Sequence, residues 1–180
     1  MPTRELLRQA ATAVRQSSPG HRALRAVLAL TGVAIFVLMP DRGGSLAGIC
    51  AWLVLLSTPI AATMPATDAP LGLLLAAAVS WVAGWGGHLP PVAATLTLGA
   101  ALYLHHLAAT LAAATPSNAT LDRSLLRRWT IPLVTGALGL VGAALAAYET
   151  DQLPLSLTLQ FAGLAGVLAA SAALVLLARR

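Results

Sequence analysis

The sequence predicts an all-α fold: a polytopic integral membrane protein with a bundle of six transmembrane helices, preceded by an N-terminal amphipathic helix. The composition is the first observation, since 58% of the 180 residues are hydrophobic and 9% are charged, against about 45–50% and about 25% in a soluble domain. The second is that apolar residues come in blocks of about 20, the length at which a helix crosses about 30 Å of hydrocarbon. The third is the uneven distribution of arginine.

Hydropathy in windows of about 19 residues predicts six spans after the N-terminal segment of residues 1–20. Within residues 21–180 they cover 23–39, 45–64, 71–89, 92–114, 129–148 and 155–177. Proline marks most connections, where its missing N–H costs least. The third span is short, lies between Pro70 and Pro90 and contains Gly84, Gly86 and Gly87 near its end. A re-entrant segment that does not cross the membrane is therefore its alternative.

Arginine predicts the orientation of the spans. All eleven basic residues are arginine, which with the Ala, Leu and Gly background indicates a GC-rich bacterial genome. Six crossings place only Arg42 on one side and ten arginines on the other. Basic loops resist translocation, so we expect an inner-membrane protein with both termini in the cytoplasm.

Two basic segments are expected on the cytoplasmic side. On a helical wheel the arginines of the N-terminal segment share an arc of about 40°, opposite Leu, Ala and Val. This pattern is typical of a helix lying on an anionic leaflet, and an extension that folds against a partner protein is the alternative. The loop before the fifth span predicts a second, short amphipathic helix. The residues predicted to dock lipid or a partner are Arg4, Arg8, Arg15, Arg123, Arg127 and Arg128.

The fourth span carries a polar stripe within an arc of about 80°, formed by Thr95, Gly99, Tyr103, His106 and Thr110. A polar stripe must face protein or a water-filled cavity, because an unpaired polar group in hydrocarbon costs several kcal/mol. We therefore expect His106 to face the bundle interior. His105 lies about 100° away, and we expect it at a flank. Interhelical hydrogen bonding is the leading interpretation, with a solute path, a proton relay and haem ligation as alternatives.

Small residues at helical spacing mark the last two spans. Such seams allow helices to approach closely, within one chain or between two copies. The residues predicted to support self-association are Gly136, Gly139, Ala143, Ala162 and Gly166.

Motifs for catalysis or cofactor binding are not found in the sequence. It has no glycine-rich phosphate loop, no nucleophile elbow, no carboxylate pair within a span and no His/Glu metal spacing. Its one cysteine, Cys50, excludes an intrachain disulfide and a cysteine-based metal cluster within the chain. The basic segments lack the interleaved aromatic residues favoured in nucleic-acid binding. We therefore expect no enzyme, no catalytic, cofactor or metal site, and no nucleic-acid partner.

The function expected from these patterns is that of an accessory or scaffold subunit whose basic helices dock a protein partner or anionic lipid. The alternative is a small transporter or channel in which the fourth span lines the path.

Overall fold

The computed structural model of the chain describes residues 17–86, 88, 90–118, 127, 129–139 and 142. The chain divides into two compact units, Met1–Val141 and Gly142–Arg180, and the helices below belong to the first. Several predictions lie outside the described residues: the amphipathic helix of residues 1–16, the loop helix before residue 127, the sixth span, and Arg4, Arg8, Arg15, Arg123, Arg128, Ala143, Ala162 and Gly166.

The described residues form five helices and no strands, which confirms the predicted all-α class for this part of the chain. They are α1 (Pro19–Leu38), α2 (Leu46–Thr63), α3 (Ala69–Gly84), α4 (Val92–Ala114) and α5 (Trp129–Gly139). By length and composition α1, α2 and α4 could each cross a membrane. These three apolar helices indicate that the protein associates with a membrane.

Helix α1 starts four residues before the predicted first span because local capping signals extend it. The side chain of Ser18 accepts a hydrogen bond from the backbone N–H of His21 at 3.3 Å, and Pro19 occupies the first turn. Serine at the N-cap and proline just inside a helix are both favoured positions. The first turn therefore carries His21 and Arg22 into the helix.

Helix α3 is shorter than the predicted third span. It has 16 residues, equivalent to about 24 Å, and ends at Gly84 where the prediction extended to residue 89. Gly86 has a φ of 54°, in the left-handed region that glycine adopts readily. The N–H of His88 donates to the carbonyl of Trp85 at 2.9 Å, so a turn closes the helix at this point.

Neighbouring helices in the bundle run antiparallel. Between α1 and α2, Gly32 lies against Thr58, and the Phe36 and Trp52 rings are 5.2 Å apart. Between α2 and α3, the hydroxyl of Ser80 donates to the carbonyl of Ala47 at 2.8 Å. These contacts pair rising residue numbers on one helix with falling numbers on the next. The α1–α4 contacts, described below, follow the same rule.

Side chains from four helices form the main core, in which Ile35, Val54 and Leu73 are fully buried. Large aliphatic side chains also cover the outside of the bundle, and Leu30 on α1 and Leu56 on α2 are 70% and 64% exposed. Extended exposed apolar surface marks a site of contact with a membrane or another protein. The bundle is thus apolar both inside and outside.

Candidate functional site

Polar contacts join α1 to α4 along their length. Thr31 Oγ1 and His105 Nδ1 lie 2.9 Å apart. Towards the other end of the pair, His21 Nε2 lies 3.2 Å from the carbonyl oxygen of Ala112. Small residues of α4, with Leu28 of α1, fill the space between them. This α1–α4 interface is the most polar part of the described core.

The structure reverses the expected roles of the two adjacent histidines. His105 is completely buried, whereas His106 is only half-buried. The reason is that α1 packs on the face of α4 that carries His105 and three alanines, Ala108, Ala109 and Ala112. Alanine permits the closest approach of another helix. The expectation that His105 lies at a flank is therefore wrong.

Hydrogen-bond geometry assigns the tautomer of His105. The Thr31 hydroxyl donates to the carbonyl of Val27, one turn earlier, at 2.8 Å. Its oxygen then accepts from His105, which places the proton on Nδ1 and leaves a lone pair on Nε2. Nε2 is buried and has no hydrogen-bond partner. The polar contacts of the His105 ring thus come from α1, from the Thr31 hydroxyl and the backbone carbonyl of Leu28.

The predicted polar stripe does not converge on one site. Thr95 is exposed, and its hydroxyl donates to the carbonyl of Pro91 at 3.3 Å. The Thr110 hydroxyl donates to the carbonyl of His106 at 2.7 Å. Such bonds satisfy threonine within its own helix. Gly99, like His106, is half-buried.

Tyr103, the remaining stripe residue, connects α4 to α5. Its hydroxyl donates to the carbonyl of Pro132, and a Cβ added to Gly136 would overlap the Tyr103 ring. Gly136 of the predicted seam therefore receives a side chain from the same chain. A Cβ added to Gly139 would meet nothing within 4 Å. Only Gly136, of the two described seam residues, has a close contact that requires a small residue.

The end of the bundle at the start of α1 is basic. The backbone N–H of Ser18 donates to the carbonyl of Ser117 at 2.8 Å, so the segments flanking α1 and α4 meet there. Arg22 is exposed, and its Nε donates to the Ser17 carbonyl at 3.1 Å. Arg25 is half-buried. Of the six predicted docking arginines, only Arg127 is described, and it is exposed.

Sequence reasoning did not identify His21 and Arg25 as site residues. They lie one turn apart on α1, and Leu28 follows three residues later. Residues at this spacing share one face of a helix. The spacing of these residues was therefore visible in the sequence. Counting the arginines on each side of the membrane does not make use of that spacing.

Aromatic and polar side chains connect α1 to α2 at the opposite end. The Arg42 guanidinium carbon lies 5.4 Å from the centre of the Phe36 ring, a cation–π distance. Trp52 Nε1 donates to the carbonyl of Arg42 at 3.2 Å. The predicted outer loop is thus anchored to both helices.

Asp41 organises this loop. Its carboxylate accepts hydrogen bonds from the Ser45 hydroxyl and from the backbone N–H of Gly43 at 2.7 Å. The Ser45 bond, followed by the Gly43 bond, lowers the pKa of Asp41 below its ordinary value of 3.8. Ser45 also caps α2, accepting from the N–H of Gly48 at 3.1 Å. Ionised Asp41 therefore supports the start of α2.

The thermal stability of the chain is expected to depend on pH through Asp41. Because its folded-state pKa is lowered, its contribution is fully present above the ordinary pKa and is lost as the pH falls through the folded value. The effect is small because the carboxylate is exposed and screened. At neutral pH the wild type should melt above Asp41→Asn in the same detergent, and the two should melt together once the pH has fallen below the lowered folded-state pKa of Asp41. A difference that stays constant with pH would contradict this assignment.

Within the described ranges, no three His, Cys, Asp or Glu side chains lie close enough together to hold a metal ion. Comparison with protein-family models, curated proteins and solved structures gives no match for this chain. The geometry of the chain itself therefore carries the functional proposal.

Proposed function

We propose that this chain is a multi-pass protein of a bacterial plasma membrane, with six spans and both termini in the cytoplasm. It acts as an accessory or scaffold subunit, and its basic cytoplasmic end docks an acidic protein partner. The observation that carries this proposal is the hydrogen bond from the Ser18 N–H to the Ser117 carbonyl, 2.8 Å long.

This hydrogen bond supports the proposal that the two basic segments start at the same end of the bundle. The first contains Arg4, Arg8 and Arg15 and enters the described structure at Ser17, next to Ser18. The second contains Arg123, Arg127 and Arg128 and follows shortly after Ser117. Because Ser18 and Ser117 are in contact, both segments begin at the same end of the bundle. Six arginines at one end attract acidic proteins and anionic lipids.

The alternating helix directions support a crossing by α3. Helix α3 runs antiparallel to α2, because Ser80 near its end contacts Ala47 at the start of α2. Helix α4 runs antiparallel to α1, because Thr31 contacts His105 and the earlier His21 contacts the later Ala112. A re-entrant third segment would make α4 parallel to α1. The observed directions therefore favour an even number of crossings before residue 115, which keeps both basic segments on the cytoplasmic side.

The hydrogen bonds and exposure of the polar stripe residues support a role in helix packing rather than in a conduction path. The hydroxyls of Tyr103 and Thr110 donate to backbone carbonyls, and Thr95 lies on the exposed surface of α4. A solute path needs polar groups that converge and remain available to the solute. These groups are used for joining helices or for satisfying their own helix.

Co-purification in mild detergent tests the docking proposal. The six-arginine variant carries Gln at positions 4, 8, 15, 123, 127 and 128. Its matched control is Arg42→Gln, which removes the one arginine expected on the other side. We expect the wild type and Arg42→Gln to retain the same acidic protein, and the six-arginine variant to lose it by tenfold or more, about 1.4 kcal/mol of binding.

Two outcomes would contradict the accessory role. In one, the wild type purifies alone and as a monomer. In the other, the six-arginine variant and Arg42→Gln retain the partner equally. If the purified chain instead binds anionic vesicles through the six arginines and retains no protein, the occupant of the basic end is lipid, and the partner proposal fails.

A further inference from the structure

Two side chains near the start of α1 have polar atoms without hydrogen-bond partners. His21 is 3% exposed, and its Nε2 lies 3.2 Å from the carbonyl oxygen of Ala112. Because a carbonyl oxygen only accepts, Nε2 carries the proton of the neutral ring. Nδ1 is then a buried acceptor, and no group in the described structure donates to it.

Arg25 lies one turn further along the same face. Its Nε and Nη1 atoms are buried and donate to no acceptor in the described part of the chain, although the side chain as a whole is only half-buried. Arg22 differs, because its Nε donates to the carbonyl of Ser17. Asp68, in the connection between α2 and α3 at this end of the bundle, is exposed and does not pair with these two nitrogens.

An unpaired guanidinium at this position favours an anion as its partner. A cation that is partly desolvated without an acceptor is costly, whereas an arginine–phosphate contact is among the stronger charge-assisted hydrogen bonds. Arg25 is not fully buried, so part of its side chain already reaches the surface of the bundle. His21 adds a requirement of its own, because its lone pair needs a hydrogen-bond donor.

The place of Arg25 near the start of α1 suits contact with lipid head groups when that end of the helix lies at a leaflet surface. Arg25 lies six residues after Pro19, the first residue of α1, which corresponds to about 9 Å along the helix. Each polar region of a bilayer is about 5–8 Å thick outside the hydrocarbon. A long arginine side chain close to the boundary extends towards the phosphates.

We propose that Arg25 and His21 bind the head group of an anionic phospholipid that carries a hydroxyl. Arg25 donates to a phosphate oxygen, and His21 Nδ1 accepts from the hydroxyl. Phosphatidylglycerol supplies both groups and a net negative charge, whereas phosphatidylcholine supplies a phosphate but neither a hydroxyl nor a net charge. The site rests on the proposed function in one respect only, that this end of the bundle lies at the cytoplasmic leaflet.

Lipid retention by the full chain tests the site. Wild type, Arg25→Gln and the matched control Arg22→Gln are reconstituted in nanodiscs of phosphatidylcholine with a minor share of phosphatidylglycerol. They are then extracted, and bound lipid is measured by native mass spectrometry. We expect the wild type and Arg22→Gln to retain phosphatidylglycerol in preference to phosphatidylcholine, and Arg25→Gln to retain about tenfold less. Equal retention by the two variants would overturn the site.

Two further measurements test whether the bound phosphate belongs to a lipid and whether His21 accepts from a hydroxyl. Inorganic phosphate added to the extract should not displace the lipid, and displacement at millimolar concentration would assign the site to free phosphate instead. Phosphatidylmethanol, which is anionic but has no head-group hydroxyl, should be retained less than phosphatidylglycerol. Equal retention of these two lipids would overturn the assignment of Nδ1 as a hydroxyl acceptor.

A variant that keeps the positive charge at position 25 allows the test to be made even if Arg25→Gln misfolds. If Arg25→Gln does not give a monodisperse, helical protein, Arg25→Lys replaces it and should retain phosphatidylglycerol less than the wild type does, but still in preference to phosphatidylcholine. Arg22→Gln should retain this lipid as the wild type does, and an equal loss in Arg25→Lys and Arg22→Gln would overturn the contact. The six-arginine variant should lose its protein partner and keep this lipid, so the failure of one proposal is distinguishable from the failure of the other.

Discussion

Gly32→Ala is expected to destabilise the chain by about 1–3 kcal/mol, as overpacking of a close-packed core does. An added Cβ at Gly32 would lie 2.6 Å from Thr58 Cγ2 and 3.0 Å from Thr58 Cβ. Thr58 is 4% exposed, and its hydroxyl donates to the carbonyl of Val54 at 2.8 Å. Because a threonine on a helix has few rotamers, relief requires α1 and α2 to move apart.

Gly72→Ala is the matched control for this prediction. Gly72 is also a helical glycine, in α3, but a Cβ added there would meet nothing within 4 Å. Alanine should stabilise the helix by about 0.5–1 kcal/mol through its helix propensity. Unfolding in one detergent, followed by circular dichroism, measures both variants. If the two substitutions change the melting temperature in the same direction, the close α1–α2 contact is not present in the protein.

Thr31→Val is expected to destabilise the chain by about 1–3 kcal/mol, the cost of leaving a buried polar group without its partner. Valine has nearly the shape of threonine, so the substitution removes the hydroxyl and leaves the packing of α1 largely intact. His105 would then keep only the Leu28 carbonyl as a polar partner, since Nε2 already has none. This cost exceeds the value of about 0.6 kcal/mol that an average interhelical hydrogen bond contributes in a membrane.

A double-mutant cycle with His105→Leu isolates this contact. In the His105→Leu background no imidazole remains to be left without a partner, so Thr31→Val should cost close to zero there. Thr97→Val is the matched surface control, because the hydroxyl of this exposed threonine also donates to a carbonyl of its own helix, that of Ala93 at 2.7 Å. A surface change of this kind stays within about 0.5 kcal/mol. Equal losses for Thr31→Val and Thr97→Val would refute the interhelical role of Thr31.

Helix positions were largely predictable from the sequence because they depend on local chemistry. The predicted span 92–114 coincides with α4 (Val92–Ala114), since proline precedes it and the apolar run ends before the next proline. The end of α3 was not predicted correctly. Hydropathy continues through Trp85 to Leu89, whereas the backbone turns at Gly86, and hydropathy does not register a change of backbone direction.

The packing face of α4 could not be predicted from polarity. A helical wheel correctly groups the residues that share a face, but it does not determine which face meets a neighbour. Here the choice followed Ala108, Ala109 and Ala112, which look neutral in a polar pattern and yet allow α1 to approach. The partner of His105 is Thr31, 74 residues away in sequence. A contact over that sequence distance depends on how all the helices are arranged. The pattern of residues within one helix does not determine that arrangement.

The contact between Ser18 and Ser117 also bears on how the protein is made. The ribosome completes Ser117 about 100 residues after Ser18, which takes about 5–20 s at a synthesis rate of about 5–20 residues per second. During that interval α1 exists without α4, so the imidazole of His21 lacks its contact with the Ala112 carbonyl, whereas the Thr31 hydroxyl is already bonded within its own helix. The polar contacts of α1 are therefore complete only after α4 has been synthesised.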